Sequence, residues 1–440
     1  MSSLRNQDLQ AALDDAIARY VRQSPKSKAL HDEAVKSLPG GNTRAVLHTD
    51  PFPLCVRSGS GYMVTSEDEQ NLVNFTGEFT AALYGHSHPV IQGAVRHVLE
   101  NVGMNVSATT SQEQLFAKGI CQRFGVEQVR FTNSGTEANL QALAAARHFT
   151  KKRKIVVFGG GYHGSFLGFA GGKPAANNVD VDDWVVVKYN DLDCTARAIR
   201  SEGVAAVLVE GMQGAGGCIC GTPEFLTCIQ ETASEAGVLF ILDEVMTSRM
   251  SANGLAGAQG LNPDLKTFGK WLGGGVAFGA FGGRADIMSA FDPRFPRALP
   301  HSGTFNNNTL AMHLGYAGLT KIYTPDVANE FTARGGQFLS RLNQVTEGTK
   351  LCFTGCGTVM NAHFPVDGSS VITNAADVTE VQQLKDLFWF EMLESGFWIA
   401  RRGLVALILE TPQAELDRFV SCVEGFISRN KAFVALDQTR

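Results

Sequence analysis

Short apolar runs alternate with amphipathic stretches from residue 129 onward. The runs at 129–133, 155–158, 185–189, 206–210 and 238–242 have the length and the Val, Ile and Phe content of buried strands. Between them, 137–149, 193–202 and 224–236 carry helical spacing. Strands alternating with helices predict a mostly parallel sheet covered on both faces, so the fold class is α/β. The chain before this region reads differently. Residues 8–37 space their apolar positions as a helical arm, which Pro39-Gly40-Gly41 breaks. Runs at 52–57, 61–65 and 72–75, separated by Gly and Asp turns, predict a small meander. Helices are expected at 89–101 and 112–124. Beyond residue 325 the pattern predicts helix 326–345, strand 357–363, helix 378–395, strand 405–409 and helix 413–429. The expected organisation is an N-terminal arm and meander (1–85), a large domain (86–325) and a C-terminal α+β part (326–440). The two outer parts are expected to pack together as one small domain.

The chain has 440 residues, 44% of them hydrophobic and 18% charged, enough to bury a sizeable core. A formal net charge of −5 gives no reason to expect nucleic acid or an anionic membrane as partner. The basic run Lys151-Lys152-Arg153-Lys154 reads as a solvated turn before a strand. No run approaches the ~18 apolar residues of a membrane helix. The first residues are polar and lack a signal peptide's apolar segment, so the expected address is cytoplasmic. Nine cysteines are scattered, and only Cys218-Ile219-Cys220 is close-set, a poor zinc pattern. They read as reduced core residues. His86-Ser87-His88 has no carboxylate at a useful spacing, so no metal is expected.

Candidate chemistry concentrates between Val238 and Gly275. The strand 238–242 ends in Asp243-Glu244, where functional groups gather in parallel sheets. Lys270 follows an apolar Thr267-Phe268-Gly269 and precedes Gly273-Gly274-Gly275. Burial lowers a lysine's pKa and makes it a usable amine nucleophile. A buried acid with a buried lysine suits pyridoxal phosphate, and it also suits a structural ion pair. Asn133-Ser134-Gly135-Thr136-Glu137, between strand and helix, is either an anion site or a plain N-cap. Gly159-Gly160-Gly161-Tyr162-His163-Gly164 formally matches the dinucleotide fingerprint, with Asp180 near the distance of a ribose-binding acid. The glycine-broken residues 165–172 do not open a helix, however. The loop reads better as one that presents Tyr162 and His163 to a planar ring. A packed core aromatic is the other reading of Tyr162. The polar run 301–308 is a ligand loop or a surface loop.

In this order the motifs resemble the class III aminotransferases of the fold type I pyridoxal phosphate enzymes, over about residues 30 to 430. Leu38-Pro39-Gly40-Gly41-Asn42-Thr43-Arg44, Pro51-Phe52-Pro53, Tyr84-Gly85-His86-Ser87, Met246-Thr247-Ser248-Arg249 and 301–308 look like its β-amino-acid aminotransferase branch. The resemblance implies a seven-stranded, mostly parallel large-domain sheet and a homodimer with shared active sites. It matches Lys270 to the Schiff-base lysine and Asp243 to the partner of the pyridine nitrogen. Ser134, Gly135 and Thr136 match the phosphate cup, and Tyr162 the ring-stacking aromatic, with His163 beside it. Glu210, Met212 and Gln213 match the strand-end segment beside the ring, and Val245 follows the acid. Thr304 matches the threonine that reaches the phosphate of the neighbouring subunit. Arg44 matches the arginine that holds the substrate carboxylate. Arg402 matches a second arginine, but Arg401 stands where a proline is expected, so either guanidinium could face the site. The implied reaction moves the amino group of an aromatic or apolar β-amino acid to 2-oxoglutarate or pyruvate. A glutamate-1-semialdehyde 2,1-aminomutase-like isomerase and a broad amine transaminase are the alternatives.

Overall fold

The computed structural model describes residues 8–436. The chain opens with helices Leu9–Gln23 and Pro25–Ala34, so the predicted single arm is broken at Ser24-Pro25. Proline at the first helical position restarts the helix instead of continuing it. An antiparallel meander follows, of β1 (Val56–Ser60), β2 (Met63–Ser66) and β3 (Asn71–Asn74). Residues 52–55, predicted as part of the first strand, stay outside it. Phe52 there packs under Tyr20, whose hydroxyl donates to the Phe52 carbonyl at 2.9 Å.

The centre is a seven-stranded sheet. Its members are β4 (Gln128–Thr132), β5 (Lys154–Phe158), β6 (Trp184–Val187), β7 (Val204–Glu210), β10 (Leu239–Asp243), β11 (Leu265–Gly269) and β12 (Gly279–Gly283). A small hairpin of β8 (Met212–Gln213) and β9 (Ile219–Cys220) lies between β7 and β10 in sequence. The order is β4-β12-β11-β10-β7-β5-β6, and only β12 runs antiparallel to its neighbours. Period-two alternation splits the strands between two cores. Ile155 and Val157 face the alanines of helix Gly135–Thr150, while Val156 and Phe158 join Phe225 and Ile229 of helix Pro223–Ala236. Helices on both faces explain why β7 and β10 are buried along their whole length.

The strand β12 escapes the sequence pattern because it reads Gly-Ala-Phe-Gly-Gly. The glycines are a packing requirement. A Cβ on Gly279 would collide with the Ser134 carbonyl, and one on Gly283 with the Asp264 carbonyl.

After helix Pro325–Thr346 come β13 (Cys352–Cys356) and β14 (Val359–His363), then helix Gln382–Glu394, β15 (Phe397–Trp398), β16 (Leu404–Ala406) and helix Gln413–Arg429. The predicted helix at 378–395 starts late because Val381 donates its N–H to Phe364 and Glu380 turns inward. Strand β15 adds parallel to β3, so both chain ends share one sheet. Tyr20 of the first helix packs against Trp389 and Phe390 of helix Gln382–Glu394. No helix among the described residues is long and apolar enough to cross a membrane.

Glu380 gives this half of the chain a pH dependence. Burial pushes its carboxyl up, but His363 Nδ1 and Lys385 Nζ, each at 2.8 Å, and the Phe364 N–H at 2.6 Å outweigh that and hold it at about 2. A depressed folded value contributes stability above the unfolded carboxyl's range, and the contribution is lost as pH falls through the folded value. The wild type should therefore lose Tm progressively between pH 4.5 and about 2. Glu380→Gln should melt lower at pH 7 and show a flatter Tm curve over that acid window, measured by calorimetry.

Candidate active site

The carboxyl ends of β4, β7, β10 and β11 converge on one cavity of about 770 Å³. Asp243 and Glu244 end β10 and point to opposite sides. Glu244 turns away and accepts from the N–H groups of Leu255 and Ala256 and from the Thr247 hydroxyl. Asp243 lines the cavity. Its Oδ2 receives Asn139 Nδ2 at 2.9 Å and His163 Nδ1 at 2.8 Å, and its Oδ1 receives the Val245 N–H at 3.0 Å. Burial raises a carboxyl's pKa, yet His163 above all, with the two amide donors, holds Asp243 below its ordinary value. The acid is thus a fixed anion.

Two lysines compete in β11 and just beyond it. Lys266 donates to the Phe124 carbonyl at 2.7 Å on the other side of the sheet. Lys270 lines the cavity, and among the described residues no hydrogen bond or ion pair engages its amine. Burial lowers its pKa to about 8, although Asp243 and Glu210 pull it up. Its backbone is left-handed, with φ of +54°. The neighbouring Trp271 holds this unfavourable turn in place. Its ring nitrogen donates to Ser248 Oγ at 2.9 Å, and the ring packs between Tyr84 and Tyr323.

Helix Gly135–Thr150 points its N-terminus at the same space, where Gly135 and Thr136 form the wall. Unpaired N–H groups and the helix dipole make this end an anion site. A Cβ on Gly135 would come within 2.8 Å of Val245, so only glycine lets the helix start approach β10. Ser134 is used as the N-cap, accepting the Glu137 N–H at 3.2 Å. The Gly159–Gly164 segment opens no helix, which removes the dinucleotide fingerprint reading. Instead Tyr162 pairs across the loop with Gly168, and the residue is 48% exposed. Glu210 steadies this loop by accepting the Tyr162 N–H at 2.9 Å and the Gly214 N–H at 3.0 Å. Its own pKa is raised by burial.

The ambiguity between the two C-terminal arginines resolves geometrically. Arg401 bonds Asp386 at 2.8 Å and stacks on Trp389 and Phe390, away from the cavity. Arg402 lines the cavity, with its Nε buried and unpartnered. Arg44 lines it too, half exposed and 4.0 Å from Glu78. Both guanidiniums lie over the Phe79 ring, Arg44 at 5.1 Å and Arg402 at 5.5 Å. Phe79 sits in a left-handed turn in which Gly77, Glu78, Phe79 and Thr80 all have positive φ. Buried Arg249 supports the turn from below, reaching the Thr80 carbonyl at 3.4 Å and the Leu407 carbonyl at 2.6 Å.

Of the residues singled out from sequence, Gly135, Thr136, Tyr162, His163, Glu210, Asp243, Val245, Lys270, Arg44 and Arg402 meet at the cavity. Ser134, Met212, Gln213 and Thr304 do not line it. Met212 and Gln213 are buried beneath it, with Gln213 Nε2 donating to the Gly159 carbonyl at 3.0 Å. Thr304 is exposed. Sequence reasoning missed Asn139 and Phe79. Asn139 left one signal: an amide on the buried face of an alanine-rich helix. A fixed anion, an unengaged amine, a helix N-terminus and an open aromatic ring fit a planar heterocycle that carries an aldehyde and a phosphate.

The chain matches the family Aminotransferase class-III over residues 45–379. It is a class III aminotransferase. The family is pyridoxal phosphate-dependent, so this enzyme is a pyridoxal phosphate-dependent transaminase. The aminotransferase is 45% identical over 429 residues to the beta-phenylalanine transaminase of Variovorax paradoxus, covering 96% of this chain and 97% of that protein. A crystal structure of a beta-phenylalanine aminotransferase from the same organism superimposes with TM-score 0.95 at 43% identity, over 98% of this chain and all of the other. An uncharacterized aminotransferase of Schizosaccharomyces pombe is 44% identical over 98% of both chains. A glutamate-1-semialdehyde aminomutase from Pseudomonas aeruginosa PAO1 has TM-score 0.87 at 22% identity, over 96% of this chain and 98% of that one, and shares the fold. Fold type I, expected from the motifs, is the fold of this transaminase.

The lowered pKa of Lys270 can be read without turnover. In the cofactor-free transaminase, labelling of Lys270 by trinitrobenzenesulfonate should rise with a midpoint near pH 8, followed by peptide mass mapping. Asp243→Asn removes a charge that favours the ammonium, so the midpoint should move lower. A midpoint in the range of exposed lysines, about 10.4, would contradict burial of the amine.

Proposed function

We propose that this transaminase moves the amino group of a β-amino acid with an aromatic or apolar side chain to a 2-oxo acid such as 2-oxoglutarate or pyruvate. The observation that carries the reading is the pair of guanidiniums, Arg44 and Arg402, open to one cavity around a single ring. A transaminase with these substrates handles a carboxylate two carbons from the nitrogen in one half-reaction and one carbon away in the other. Two fork-shaped donors with different freedom suit that demand. Arg44 is half exposed on a loop, whereas Arg402 is partly buried. The Variovorax relative's substrate name points the same way.

Lys270 would hold the cofactor's aldehyde. The helix start at Gly135 and Thr136 would hold its phosphate, Tyr162 would cover its ring, and Asp243 would keep its ring nitrogen protonated. Bound there, pyridoxal phosphate supplies an electron-accepting ring. Lys270 Nζ, half unprotonated near pH 8, would take the proton from the donor's amino-bearing carbon and deliver it to the carbon that the cofactor's aldehyde contributes. His163 and Asn139 keep Asp243 ionised throughout, and Glu210 fixes the loop that carries Tyr162.

The same reading includes a homodimer in which Thr304 serves the partner's site. Thr304 is exposed, and apolar Leu99, Met104, Val106 and Phe305 are exposed in segments that Thr309 joins through the Gly103 and Met104 carbonyls. We also assign 1–85 and 326–440 to one small domain and 86–325 to the large one, supported by the shared β3–β15 pairing. Residues 1–7 and 437–440 of those outer parts lie outside the described residues. A reducing, cytoplasmic address accords with nine free cysteines.

Substrate class is tested by single-turnover rates of Arg44→Ala and Arg402→Ala against two donors and two acceptors. A charged bidentate hydrogen bond contributes roughly 1.5–3 kcal/mol, about 10- to 150-fold in specificity. Arg44→Ala should lose that much toward a β-amino acid and far less toward 1-phenylethylamine. Arg402→Ala should fall harder on 2-oxoglutarate than on pyruvate. Equal loss for acid and amine would remove the carboxylate role.

The dimer reading has its own test. Lys270→Ala and Thr304→Ala subunits should each be impaired alone, and mixing them under subunit exchange should restore part of the activity. Each heterodimer then carries both lesions in one site and neither in the other. No recovery would place Thr304 outside the partner's site.

A further inference from the structure

The close-set cysteines Cys218 and Cys220 have no part in the chemistry above. They lie on the return side of the β8–β9 hairpin, which leaves the sheet directly after Glu210. Cys218 is buried in the apolar cluster around Met212 and Phe225. Cys220 is partly exposed and leans the other way, onto β13. Its Sγ lies 3.4 Å from the carbonyl of Gly355, the residue before Cys356, and Cys220 and Cys356 pack against the same apolar cluster. Cys356 is also partly exposed.

The backbone around the two thiols is fixed. Thr354 Oγ1 donates to the Gly217 carbonyl at 2.6 Å, and His363 Nε2 donates to the same oxygen at 2.9 Å. Antiparallel pairing of β13 with β14 holds Cys356 opposite Val359. Cys220 and Cys356 therefore lie near each other on strands that have little freedom to part. Both connect to the cavity: the hairpin through Gln213 and the Gly159 carbonyl, and β14 through the bond from the Ala362 N–H to the Gly403 carbonyl, beside Arg402.

We propose that Cys220 and Cys356 form a reversible disulfide that ties the β8–β9 hairpin to β13, with oxidised glutathione or another small disulfide as oxidant. The Cys356 thiolate attacks one sulfur of the oxidant and releases one reduced thiol. The Cys220 thiolate then attacks the Cys356 sulfur of the mixed disulfide and releases the second. Two protein thiols are oxidised, and one small disulfide is reduced to two thiols. The neighbouring Cys220 thiol holds the Cys356 thiol below its ordinary value, which favours Cys356 as the first nucleophile. The new bond closes a long loop and removes freedom from the unfolded chain, so the oxidised enzyme should be the more stable one.

The test uses the full-length holoenzyme incubated with oxidised glutathione, digested without reductant and mapped by mass. The expected result is a Cys220–Cys356 linked peptide, a rise in Tm of several degrees, and reversal of both by dithiothreitol. Cys356→Ser should keep basal activity and lose both responses, and Cys220→Ser should stop at a mixed disulfide on Cys356. Cys194→Ser and Cys228→Ser should respond as wild type does. No linked peptide, a link between other cysteines, or a stable glutathione adduct on wild-type Cys356 would each overturn the proposal.

Discussion

The structure depends on keeping one carboxylate charged in a place nearly closed to water. Asp243 stands at the buried end of β10, flanked in register by Glu210 on β7 and Thr267 on β11. Burial alone would neutralise it. Asn139 prevents that from the helix side: its amide nitrogen gives one hydrogen bond to Asp243, and its oxygen accepts the Thr267 hydroxyl at 2.8 Å. His163 does the same from the loop. Helix, loop and two strands therefore need one another's positions to satisfy one charge. Such mutual dependence is what makes a buried polar network specify a single arrangement. The amine of Lys270 is the complement. Among the described residues no hydrogen bond or ion pair holds it, so it is available for a ligand.

Around this fixed floor the walls are softer. Arg44 sits on a loop with one long ion pair, and Arg402 has an unpartnered nitrogen. Their shared contact with Phe79 is a planar one that allows a guanidinium to slide without losing its neighbour. The turn that carries Phe79 is conformationally costly, and Arg249 holds it by carbonyl contacts alone. In the proposed reading the floor sets the chemistry of the cofactor, and the rim is where substrates differ.

Much of this was legible in the sequence, and the failures have physical causes. Apolar runs revealed β5, β7 and β10 because strands covered on both faces must be apolar. They concealed β12, where packing demands glycine and no side chain remains to show a period. Spacing identified Asp243-Glu244 and Lys270, but not which of the two acids faces the cavity, since that depends on the register of β10 with its neighbours. Arg401 and Arg402 are told apart by the partners the fold delivers: Asp386, Trp389 and Phe390 capture the first. Phe79 was illegible because its role comes from a left-handed turn, and neither glutamate nor phenylalanine advertises one. Thr304 faces solvent in the single chain, so its assignment rests on resemblance alone.

The pairing of β15 with β3 joins Phe397 to Val73. A ribosome makes the meander early and its fourth strand more than 300 residues later, as those two positions require. Until then the β3 edge has open hydrogen-bonding groups, and the first helix lacks Trp389 and Phe390 beneath it. An open edge with an uncovered apolar face invites pairing with other chains. Arg402, five residues beyond Phe397, arrives in the same late event. The central sheet and its buried acid can form while the chain is still growing. The Arg402 part of the rim waits for the end, so a stalled or truncated product would hold the floor with an incomplete wall.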